Sequence, residues 1–185
     1  MALIKTNARS SSQLDATILT GNLPAINGSA LTNIDAGKVL QIKTGSKTDT
    51  ASNTSTSASN LISVAITPSA TSSKILVQCN VTGVSANNLS LVGFQIVRES
   101  TVLIKCDTSG WASSNSSFLT MGGNNTSRDQ KSGGVTYLDS PSSSSEITYY
   151  LKWLNENSDT HYINRWGDNN DAGSVTTLSL IELGA

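Results

Sequence analysis

Charge is scarce in this sequence. Lys, Arg, Asp and Glu make up 14% of the 185 residues, and the formal net charge is -1. That excludes the clustered basic surface of a nucleic-acid binder and the polybasic face of an electrostatic membrane binder. No run approaches 18 apolar residues, so no transmembrane helix is expected. The first residues, MALIKTNARSSSQ, lack an apolar h-region, so no secretory signal peptide is expected. Histidine occurs once, at position 161, cysteine twice, at 79 and 106, and glutamate four times. Cys79 and Cys106 show no CxxC or Cys/His spacing, which removes the usual zinc patterns. Two buried thiols and a single bridge both fit that pair.

Polarity is carried instead by small neutral groups: 31 Ser, 21 Thr and 17 Asn. Disordered chains combine high net charge with few β-branched residues. Here Val, Ile and Thr are plentiful, and they favour strands. The composition points to an all-β protein with Ser, Thr and Asn on its outer faces.

Residues 14–42, LDATILTGNLPAINGSALTNIDAGKVLQI, form the most unusual stretch. The apolar pairs Leu23/Ile26, Leu31/Ile34 and Val39/Ile42 recur every eight residues, interrupted by Gly21, Gly28 and Gly37, with Pro24 inside the first pair. A helix needs apolar residues at i, i+3, i+4 and i+7, and the proline alone would cost it about 3 kcal/mol. Strict alternation is also absent. Extended, the segment reaches roughly 95 Å, and a lone ribbon has no second layer against which to bury its apolar side. Other copies of the chain would supply that layer. The expected organisation is an attachment arm over 1–13, an intertwined stalk over 14–37 and a head over 38–185. Leu14, Ile18, Leu19, Leu23, Ile26, Leu31 and Ile34 are the expected stalk contacts. Leu3, Ile4, Lys5 and Arg9 are the candidate attachment residues.

Beyond the ribbon the pattern becomes strands. Val39–Lys43 is the first, and 47–60 is either an edge strand or a loop. Leu61–Thr67 places Ile62, Val64 and Ile66 on one face, and Lys74–Val84 places Ile75, Val77, Cys79 and Val81 on one face. Leu89–Arg98 is followed through Glu99-Ser100 by a return at Thr101–Cys106. Residues 107–134 read as a long surface loop with a short strand near 117–121. Short strands follow at 135–139, at 146–154 with Ile147, Tyr149, Leu151 and Trp153 aligned, at 161–166 and at 174–183. About nine strands with turn signals every eight to fifteen residues suggest a sandwich or jelly roll.

Four of these segments carry a resemblance: LDATILTGNLPAINGSALTNI, GKVLQI, ITPSATSSKILVQC and the closing TTLSLIEL. Over most of its length the chain resembles bacteriophage fibre proteins, especially those of phages of marine cyanobacteria. The resemblance implies a virion structural protein, assembled as a homotrimer, with a jelly-roll head like those of tumour-necrosis-factor-type trimers. Its implied partners are its own copies and other virion proteins of tail or capsid; a host-surface glycan is a further expected partner, through the aromatic residues named below. A capsid decoration protein docked through residues 1–13 is the alternative within that class. A free carbohydrate-binding module is the alternative outside it.

The sequence gives little footing for catalysis, and no cofactor is expected. Any Ser-His-Asp or Cys-His arrangement would have to use His161. Asp168-Asn169-Asn170-Asp171-Ala172-Gly173 is similar to an oxygen-ligand calcium loop but lacks the bidentate Glu that follows one, so it reads as a turn. Trp153 sits on an alternating strand and reads as core. Trp111 and Trp166 adjoin Gly-rich segments, and with Asp168 and Asn170 they are the candidate saccharide-binding residues.

Overall fold

Wherever the sequence alternates with a period of two, the chain forms a strand. The structure, a computed structural model, describes residues 39–86, 89–106, 110–111, 115, 117–122, 130–165 and 173–184. Its elements are β1 (Val39–Lys47), β2 (Ala51–Asn53), β3 (Ser59–Ile66), β4 (Lys74–Ala86), β5 (Leu91–Arg98), β6 (Thr101–Val102), β7 (Leu119–Gly122), β8 (Lys131–Asp139), β9 (Ile147–Asn155), β10 (His161–Ile163) and β11 (Thr176–Leu183). All pairings are antiparallel.

β4 is the centre of the first sheet. β8 pairs along one of its edges, and β11 and then β10 pair end to end along the other. β1 and β2 lie beyond them, also end to end. In the second sheet the order is β3-β9-β5, with β6 and β7 end to end on the far side of β5. When each end-to-end pair is read as one interrupted strand, every sheet has four strands. Numbering those eight strands along the chain gives the orders 1-8-3-6 and 2-7-4-5. That is a β-sandwich with the strand order of a jelly roll.

The core lies between the sheets. Ile75, Val77, Cys79 and Val81 of β4 and Leu178 and Leu180 of β11 face Ile62, Val64 and Ile66 of β3, Val92, Phe94 and Ile96 of β5, and Tyr149, Leu151 and Trp153 of β9. Burying each large side chain contributes about 1.5–3 kcal/mol. No disulfide joins the two cysteines: Cys79 is buried and Cys106 half-buried. At one edge of the core Arg98 spans the two sheets. Its Nη1 donates to both oxygens of Asp139, at 2.8 and 2.7 Å, and Tyr149 donates its hydroxyl to the same carboxylate at 2.6 Å. Burial, followed by that hydrogen bond to a carboxylate, pushes the Tyr149 phenol well above its ordinary value.

Several expected bounds change: the first strand runs on to Lys47, and the return after Glu99-Ser100 is strand only over Thr101–Val102. The strand at 135–139 begins four residues earlier, because Lys131–Gly134 pair with β4 although they carry no apolar signal. The strand expected at 161–166 stops at Ile163, because Asn164 takes a left-handed backbone (φ 59°). Its side chain fills the break. Nδ2 donates to the carbonyls of Lys47 and Asp49 at 2.8 and 3.0 Å, and Oδ1 accepts from Thr176 at 3.0 Å and Thr82 at 3.4 Å. At the same level β4 bulges between Val81 and Val84. Gly83 there has φ 62°, and a Cβ on it would lie 2.9 Å from Asn164 Cα. One asparagine therefore ties together the interruptions of three neighbouring strands.

Candidate functional site

Register decides what the outer face of the first sheet carries. Ile42 of β1 stands beside Ile181 of β11, which stands beside Leu76 of β4, which stands beside Leu138 of β8. Since Ile75, Val77, Leu178 and Leu180 point into the core, these four point away from it. Ile42 is 60% exposed and Leu138 51%. The next row is Thr44, Ser179, Gln78 and Thr136, and the one after it Ser46, Thr177, Asn80 and Gly134. Thr44 and Ser179 share a hydrogen bond at 3.0 Å. Among the described residues of these four strands, the one charged side chain at an outward position is Lys74, at the rim and bonded to Ser140 at 2.8 Å. The face is thus an aliphatic row next to two rows of neutral hydrogen-bonding groups.

The polar rows enclose an open concavity of about 420 Å³, lined by Gln78, Asn80, Thr136, Thr177 and Ser179 around Gly134. Amides and hydroxyls there can hydrogen-bond a neutral partner. None of them is an acid or base near neutral pH. Cys79 also borders the concavity, but burial pushes its thiol up to about 12, which keeps it protonated and unreactive.

The second sheet treats its outer face differently. Every residue from Val92 to Val97 is buried, although alternate ones point away from the core. Trp111, Asn115 and Ser117, between β6 and β7, lie against Gly93 and Gln95 among them. A Cβ on Gly93 would lie 3.0 Å from Cη2 and Cζ3 of Trp111, and Gln95 Nε2 donates to the Asn115 carbonyl. The expected surface loop over 107–134 is in part a lid on β5.

Trp111, a candidate saccharide contact, is therefore half-buried and seated on Gly93. Trp166, Asp168 and Asn170 lie outside the described residues. So do the expected stalk contacts Leu14, Ile18, Leu19, Leu23, Ile26, Leu31 and Ile34, and the attachment residues Leu3, Ile4, Lys5 and Arg9. Trp153 is core. His161 is fully buried on β10 with Nε2 3.2 Å from the Ser90 carbonyl. Burial holds its pKa below the ordinary value, against the pull of that carbonyl.

The aliphatic row escaped sequence reasoning, although a signal was present. Leu76, Leu138 and Ile181 are apolar at strand positions whose neighbours on both sides face inward. Apolar residues on both faces of a strand mark a strand covered twice. Ile42 closes the last pair of the eight-residue repeat, and its partner Val39 is also exposed, at 57%.

No protein-family model matches the chain, and no curated protein matches it either.

Proposed function

We propose that the protein is a non-enzymatic structural component of a phage virion: a short homotrimeric fibre or spike whose ribbon twines with its sister copies and whose sandwich forms the knob. The observation that carries this reading is the last pair of the repeat, Val39 and Ile42, lying exposed on β1 at the edge of the aliphatic row. The ribbon's unmet need for apolar cover thus continues onto the head. The occupant of the face is a second copy of this chain. Around a three-fold axis the same residues of every copy crowd together, so a charged face would gather like charges there, whereas a neutral one does not. Copies packed face to neighbouring face around an axis close into a ring. The jelly-roll order and the resemblance over residues 14–34 and 176–183 support a trimeric head of the tumour-necrosis-factor type.

In this assembly the connections after β2 and β9, at the end away from Val39, are free to meet a host surface. The concavity beside Gly134 then lies between subunits and serves as hydrated packing. Antibody labelling of intact virions by electron microscopy tests the placement. Label at projecting fibres is the expected result. Label spread evenly over the capsid would favour a decoration protein, and an unlabelled particle would reject the virion role.

A further inference from the structure

Past the bulge in β4, on the side away from Val39, the outer face of the first sheet changes character. His161 and Ile163 of β10 are fully buried and point inward, so Tyr162 between them points outward. It stands directly opposite Ser52 of β2 on one side and Ser85 of β4 on the other, and such partners share a face. Asn164 then turns the chain through its left-handed backbone, and Arg165 comes to lie over this row. The Arg165 N–H donates to the Gly83 carbonyl at 3.4 Å, and its own carbonyl accepts from the Ser85 hydroxyl at 2.9 Å. Its guanidinium Cζ lies 4.2 Å from the centre of the Tyr162 ring. Main chain and side chain of Arg165 are thus both held in place.

Charge is scarce in this chain, and this cation is unmatched. Arg98 is neutralised by Asp139, whereas Arg165 has no carboxylate partner among the described residues. Asp49, whose carbonyl meets the neighbouring Asn164, gives its carboxylate to Lys47 at 3.0 Å. Arg165 Nε is buried without an acceptor, while the residue as a whole is half-exposed. A guanidinium stacked on a ring keeps its N–H edge free, and that edge matches a planar carboxylate bidentately. Ser52 is exposed beside Tyr162, and neither hydroxyl has a partner among the described residues. One fixed guanidinium next to two open hydroxyls is the complement of a sugar that carries a carboxylate. A small inorganic anion would leave the hydroxyls unused.

We propose that Arg165, Tyr162 and Ser52 form a contact site for an acidic saccharide, its carboxylate on the Arg165 guanidinium and its ring hydroxyls on Tyr162 and Ser52. Use of the site on a host surface rests on the virion reading, whereas the binding itself does not. Saturation-transfer NMR on the intact chain tests it, with glucuronate, galacturonate and N-acetylneuraminate as probes and glucose and acetate as controls. At least one acidic sugar should bind about tenfold or more tighter than either control, as a charge-assisted pair adds to the sugar contacts. Arg165→Gln should lose that margin with β-sheet circular dichroism and subunit mass unchanged. Ser52→Glu, at an exposed position, should do the same by placing an anion beside the ligand's carboxylate. Failure of every acidic sugar to bind overturns the proposal. So does binding of glucose or acetate as tight as that of the acids, or binding unchanged in Arg165→Gln. A fall in subunit mass in Arg165→Gln overturns it too, since Arg165 would then meet a sister copy. Binding with these losses in a chain that runs as one copy upholds the site and rejects the fibre. An intact trimer that binds none of the acids does the reverse.

Discussion

The two sheets of this sandwich have similar sizes and opposite outer faces. The β3-β9-β5 sheet is roofed by its own chain: the excursion between β6 and β7 lays Trp111 on Gly93 and the Asn115 carbonyl on Gln95. The β1-β11-β4-β8 sheet has no such roof among the described residues, and it leaves Ile42 and Leu138 more than half exposed. A chain that can cover one face with an insertion and leaves aliphatics bare on the other has a use for the bare one. In the proposed assembly a charge on that face would have to be desolvated, which accounts for its lack of charge.

The largest expected effect comes from charging the bare face. Ile42→Lys with Leu138→Lys places cations on its two outer strands, at exposed positions where the isolated head tolerates them within about 0.5 kcal/mol each. Subunit affinity should fall by at least about 100-fold, roughly 3 kcal/mol, read by native mass spectrometry, while the β-sheet circular dichroism is retained. Unchanged assembly would break the contrast between the two faces.

Next comes the link between the sheets. Arg98→Met leaves the Asp139 carboxylate buried with only Tyr149 as a partner, and it should cost about 3–5 kcal/mol in denaturant unfolding. On the roofed side, Trp111→Ala should cost about 2 kcal/mol, less than full burial implies because the indole is half-buried. It should also raise hydrogen exchange at Gly93–Val97 and leave subunit mass unchanged. An effect of Trp111→Ala on assembly would show that the roof, and not the bare face, meets the neighbouring copy.

The smallest effect is on pH dependence. Burial depresses the His161 pKa, opposed by the Ser90 and Asp159 carbonyls and by the charges of Asp159 and Glu156. Between its ordinary value and the lowered one the unfolded chain binds more protons than the folded chain. Stability is therefore complete above about pH 6.5 and declines as pH falls through that window. His161→Gln should flatten this limb of the unfolding free energy. An unchanged slope would mean that another group sets it.

The parts of the fold legible in sequence are those where alternation meets a single buried face. Ile62/Val64/Ile66, Ile75/Val77/Cys79/Val81 and Ile147/Tyr149/Leu151/Trp153 all face the core as their spacing predicts. The collinearity of β10 with β11 and of β6 with β7 was not legible, because it depends on register against β4 and β5 and has no local signature. Nor was the extension of β8 through Ser132-Gly133-Gly134, where backbone pairing holds a strand that carries no apolar side chain. The bare face was half legible. Each outward aliphatic is visible as a break in alternation, but only pairing across the sheet brings Ile42, Leu76, Leu138 and Ile181 into one row, since they lie as much as 139 residues apart in the chain.

Sedimentation equilibrium of the intact chain tests the central claim most directly. The expected result is a single species of three times the 19.3 kDa chain mass. A stable one-copy particle, with Ile42 and Leu138 open to solvent, would contradict it.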